Sequence, residues 1–75
     1  MKNNLKIQIY KGIIQYLLDT THYSLKTIAI LSDSSVKNIL HIYKHDQIPP
    51  NFNSEVELVR LFEIILEFNL GKKIS

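Results

Sequence analysis

The chain has no cysteine, so it can form neither a disulfide nor a thiolate metal site, and its stability must come from a packed core. Glycine is almost as scarce. Gly12 and Gly71 are the only two, which excludes a glycine-rich phosphate loop. Apolar runs such as Ile64-Ile65-Leu66 fall far short of the ~20 residues that cross a bilayer. The opening MKNNLKIQIYKG breaks its apolar positions with Lys and polar residues, unlike the continuous apolar segment of a signal peptide. The expectation is a cytoplasmic protein with no membrane partner. No nucleophile–base pair stands out, and a chain this short rarely builds a water-excluding pocket, so neither an enzyme nor a cofactor is expected. His41 and His45 are four apart, as two metal ligands on a helix would be. With no Cys, and only the distant His22 or Asp46 as a third ligand, no metal site is expected.

What remains is 75 residues, 45% of them apolar, enough for one small domain spanning 1–75. The net charge of +2 does not announce a nucleic-acid partner, but its distribution is uneven. Residues 1–45 carry six lysines against Asp19 and Asp33, for +4, whereas residues 46–75 sum to −2. A basic half of this kind is the footprint expected of a surface that meets phosphates.

Periodicity places a first helix over about 5–18, with Leu5, Ile9, Ile13, Tyr16 and Leu17 at helical spacing and Asn3 or Asn4 as its cap. Gly12 inside it would let another helix approach closely. Ile7, Ile9 and Tyr10 alternate, so 5–10 also fits an extended segment. After the turn residues at 19–22, Ser24 is a good N-cap for a second helix over 25–31, with Ile28 and Leu31 on one side. The polar break Ser32-Asp33-Ser34-Ser35 follows, and Ser34 or Asp33 is the expected cap of a third helix over 36–44. Ile39 and Ile42 point that helix inward, and Ala29 fits a steep helix crossing where a larger side chain would hold the pair apart. The stretch 24–44 therefore reads as a helix-turn-helix core, whose second helix can enter a major groove.

Pro49 and Pro50 force an extended link, which Ile48 and Phe52 are placed to pin to the core. Ser54 and Glu57 form a capping box that opens a last helix over 54–69, with Gly71 as its stop and Lys72 and Lys73 near its negative end. That helix is apolar over well over half of its circumference. A small domain cannot bury such a helix all round, so the surplus face calls for a homodimer, with Leu58, Leu61, Phe62, Ile65 and Phe68 as the candidate contacts.

Residues 23–66 resemble the Cro/CI-type (XRE-like) helix-turn-helix family of phage and bacterial transcriptional regulators. Ile28-Ala29 matches the family's leucine-alanine pair, Ser34-Ser35 the opening of the third helix, Ile39 and Ile42 the two aliphatics, and Pro49 or Pro50 the following proline. Asp33 stands at the usual turn glycine, where it can adopt the left-handed conformation, and His45 at the glycine after the third helix. The resemblance implies an all-α, compact four- to five-helix bundle of the lambda-repressor-like type, acting on double-stranded DNA as a transcriptional regulator, most simply a repressor. It places Ser35, Val36, Lys37 and His41 at base edges. Ser24, Lys26, Thr27, Asn38 and Lys44 are then set to hold phosphates. Leu40, at a normally polar outward position, motivates the alternative of a protein-interaction module on the same fold, such as an antitoxin or an accessory protein that binds a toxin or a phage or plasmid factor.

Overall fold

Four helices carry the chain, and in the computed structural model they are described over residues 4–74, with side chains over 5–71. They are α1 (Asn4–Thr20), α2 (Leu25–Leu31), α3 (Val36–His45) and α4 (Phe52–Ile74), and there is no strand among the described residues. The all-helical class follows from the 3.6-residue apolar period and the scarcity of glycine and proline inside the periodic segments. Asn3, one candidate cap, lies outside the described residues, as do the side chains of Asn4, Lys72 and Lys73.

The first helix is central and packs on each of the other three. Its inward face is Ile7, Tyr10, Ile13, Ile14 and Leu17, all buried. The expected face is rotated from this one: Leu5 and Ile9 are 73% and 51% exposed. The helix carries apolar residues on two faces, and which one turns inward depends on the partners available. The same helical course removes the extended alternative for residues 5–10. Gly12 makes no close approach within the chain, since a Cβ added there would meet nothing within 4 Å.

In α2, Ser24 caps as expected, its hydroxyl accepting from the Thr27 amide at 3.1 Å. Ile28 and Ala29 are buried, but Leu31 is 46% exposed and Ser32 takes the inward position. Burial of this serine is possible because its hydroxyl donates to the Ile28 carbonyl at 2.7 Å. The tight turn is closed by the Ser34 amide on the Ala29 carbonyl at 2.8 Å. Asp33 adopts the left-handed conformation at φ 54°. The cap of α3 is Ser35 rather than Ser34 or Asp33: its hydroxyl accepts from the Asn38 amide at 3.0 Å. The helix runs through His45, and the left-handed residue that ends it is Asp46, at φ 55°.

Pro49 is buried and Ile48 half-buried in the link, whereas Phe52 is 71% exposed and pins nothing. The last helix begins two residues before the expected capping box, with the Asn51 side-chain oxygen accepting from the Ser54 amide at 3.0 Å. Ser54 is therefore inside the helix and buried. Gly71 does not stop the helix: it is not in the left-handed conformation that a glycine cap adopts, and the helix runs through it to Ile74. Lys6 and Tyr10 meet Glu55, while Tyr16 meets Phe62 and Asn69, so α1 and α4 run in the same direction. Leu58 and Leu61, expected between two copies, lie instead in the chain's own core at 1% and 8% exposure. Phe62 and Ile65 are half-buried against it, and only Phe68 of that set is exposed.

Candidate nucleic-acid interface

Ile39 and Ile42 anchor α3 to the core, which fixes the helix's rotation. On the opposite side, Lys37, His41 and Lys44 recur at steps of four and three and so form one outward stripe. Lys37 and Lys44 are exposed and His41 is half-buried. Val36, 38% exposed, and the half-buried Leu40 flank the stripe. Ser35 is exposed at the helix start; with its oxygen accepting from Asn38, its hydroxyl hydrogen remains available to an outside acceptor. Asn38 is half-buried beside it. On α2, Ser24 and Lys26 are exposed and Thr27 is half-buried, its hydroxyl 3.1 Å from that of Ser24.

The basic character is more localised than the sequence suggests. Lys6 pairs with Glu55 at 3.0 Å, and Lys11 pairs with Asp46 at 2.7 Å. Both lysines of α1 with described side chains are thus matched by acids from the second half of the chain. Lys26, Lys37 and Lys44 have no ion pair among the described residues, and all three lie on α2 and α3. Among the described residues, the uncompensated lysines of the first half therefore sit on those two helices.

One residue escaped the sequence reading. Gln47 lines an open hollow with Lys37, Asn38, His41, Asp46, Ile48 and Pro50. The left-handed Asp46 turns the chain back, and the Gln47 amide donates to the His41 carbonyl at 2.9 Å. Gln47 lies beyond the end of the helix, so no helical spacing could have assigned it to this face. His41 and His45 do come together, with ring centres 5.6 Å apart and edge to face. No third donor joins them: among the described residues there is no group of three or more His, Cys, Asp or Glu placed to hold a metal.

The perturbed acid–base pair is elsewhere, between α1 and α4. Burial, reinforced by the hydrogen bond to Glu55 and by its charge, pushes the Tyr10 hydroxyl up to about 12. Burial alone would raise Glu55 as well, but hydrogen bonds from Tyr10 and Lys6 and the lysine's charge outweigh it and hold the carboxyl below its ordinary value. Such a pair ties two helices together, and both residues also line an open hollow with Phe52, Val56, Val59, Arg60 and Glu63.

No family model matches this chain, and no curated protein or solved structure gives a significant match to it. No described helix is long and apolar enough to cross a membrane.

Proposed function

We propose that this protein is a sequence-specific DNA-binding transcriptional regulator, a repressor in the simplest case, that lays α3 in the major groove as the second helix of a helix-turn-helix. The observation that carries this reading is the outward stripe of Lys37, His41 and Lys44, which lies on the free side of a helix held by Ile39 and Ile42. The tight α2–α3 turn, the buried Ala29 and the uncompensated lysines of both helices support it. Lys37 is suited to guanine O6 and N7, Val36 to a thymine methyl, and His41 or Gln47 to base-edge acceptors and donors. Ser24, Lys26, Thr27, Asn38 and Lys44 are suited to phosphates, which orient the protein without reading sequence. Two copies on a two-fold operator would set their α3 helices about one DNA turn apart.

The test is selection of bound duplexes from a random pool, followed by titration of the winner at several salt concentrations. An enriched site and an affinity that falls with salt are expected. Failure to bind any duplex at ~50 mM salt, a condition that favours phosphate contacts, would overturn the reading.

A second reading is favoured by one observation. Ile30, Leu31 and Val36, at the two sides of the α2–α3 turn, are 66%, 46% and 38% exposed. Apolar residues at that corner suit a partner protein, as in an antitoxin or an accessory factor. Replacing Ile30 and Leu31 with Ser separates the two: DNA affinity persists under the first reading, and partner capture is lost under the second.

A further inference from the structure

We infer that a second copy of this chain docks in the trough between α1 and α4, its α4 lying antiparallel to the first. This deepens the DNA-binding reading by supplying the two-fold pair that reading calls for, but it rests on residues of α1 and α4 alone.

The outward side of α4 has its own pattern. Phe52, Val56, Val59, Glu63, Leu66 and Leu70 recur at alternating steps of four and three, the spacing of a seam along which two helices pack. This seam lies away from Leu58 and Leu61, which the core occupies. Phe52 is 71% and Leu70 49% exposed, and Val56, Val59 and Leu66 are half-buried, so none of the five apolar seam residues is fully covered within the chain. Two open hollows follow the seam, and they share Val59 and Glu63. The wall contributed by α1 includes the exposed Ile9 and the empty space over Gly12, where an incoming helix meets no side chain.

The charges at the edge of the seam identify the occupant. Arg60 and Glu67 are two helical turns apart on the same flank, both are exposed, and neither has an ion pair among the described residues. A two-fold axis between them reverses the second helix and sets each Arg60 opposite the other copy's Glu67, so both pairs form at once. A surface that is its own electrostatic complement selects a like chain over an unrelated one. Glu63, at the middle of the seam, acts as a polar residue in a helix-pairing core does: it fixes the register at a cost in stability.

The test is sedimentation equilibrium of the full chain without DNA, with circular dichroism to verify that each variant keeps its helix content. The wild type is expected to dimerise at micromolar concentration. Arg60→Glu and Glu67→Arg each place like charges together twice and are expected to weaken the dimer about tenfold, while the double exchange restores it to within a few-fold. Glu63→Leu is expected to tighten it. A monomeric wild type, or a dimer indifferent to both single reversals, overturns the proposal. A monomer that still binds its selected duplex sinks this surface and leaves the DNA reading standing; a charge-dependent dimer that binds no duplex does the reverse.

Discussion

The Tyr10 hydroxyl donates to Glu55 Oε1 across 2.6 Å, joining residues forty-five apart in sequence. Lys6 Nζ reaches the same oxygen at 3.0 Å. This buried contact holds α4 to α1. α4 packs on no other helix as extensively as on α1, so the contact sets where α4's surplus apolar surface ends up.

Its pH dependence has two arms of opposite sign. The folded-state pKa of Glu55 is depressed. As pH falls, the unfolded chain takes up the proton first, so stability is complete above the ordinary carboxyl value of about 4.3 and is lost as pH falls through the folded value. The Tyr10 pKa is raised to about 12. The unfolded chain loses that proton first, so stability is complete below about 10 and declines as pH rises toward the folded value. Tyr10→Phe should cost roughly 1–3 kcal/mol at neutral pH, because the buried carboxylate loses a partner. It should also flatten the alkaline arm. Urea unfolding from acid to strong base checks this; identical alkaline slopes in wild type and variant would contradict it.

Ala29, 1% exposed, is buried on α2, a short helix that packs against α3 and α1. Ala29→Leu should destabilise by roughly 1–3 kcal/mol through overpacking. It should also impair DNA binding more than that loss of fold accounts for, because it tilts α3. A variant with wild-type stability would mean that the crossing has room to spare.

The cap of α3 distinguishes neighbouring serines. Ser35→Ala should cost about 1 kcal/mol, because the Asn38 amide loses its acceptor. Ser34→Ala should stay within about 0.5 kcal/mol, since only the backbone of Ser34 is used in the turn. Thermal unfolding of the two variants side by side gives the answer, and equal losses would refute the assignment.

Lysines should sort by whether they are paired. Lys37→Ala should weaken binding to the selected duplex by roughly 1–3 kcal/mol and relax its sequence preference. Lys26→Ala and Lys44→Ala should lower affinity across all sequences and reduce the salt slope by about 1 each. Lys11→Ala, which removes only the ion pair with Asp46, should leave the slope unchanged. Anisotropy titrations at several salt concentrations read all four, and a slope that drops equally for Lys11 would place the contact surface elsewhere.

Local chemistry made much of this fold legible. The bounds of the second helix, the start of the third, the Ser24 cap and the left-handed Asp33 all follow from interactions within a few residues of one another. Errors gathered where two local solutions compete. Ser54 with Glu57 is a sound capping box, but Asn51 opens the helix earlier and Ser54 is drawn inside. Gly71 would end a helix by taking the left-handed conformation, but it stays helical and α4 continues to Ile74. Of the candidate DNA-facing residues, those on α3 follow from Ile39 and Ile42 fixing its rotation. Gln47 was invisible because a backbone reversal at Asp46 brings it there.

The amino-acid order alone determined that this chain is helical, where its central polar turn falls and which side of α3 is greasy, because caps, periods and turn residues act over one or two helical turns. It did not determine which apolar face of α1 or α4 turns inward. Both helices carry two, and long-range contacts, among them Tyr10 and Lys6 with Glu55 and Tyr16 with Phe62 and Asn69, choose between them. Those same contacts neutralise Lys6, bury Leu58 and leave the Phe52–Leu70 seam outside, since burial belongs to the assembled helices and to no single one.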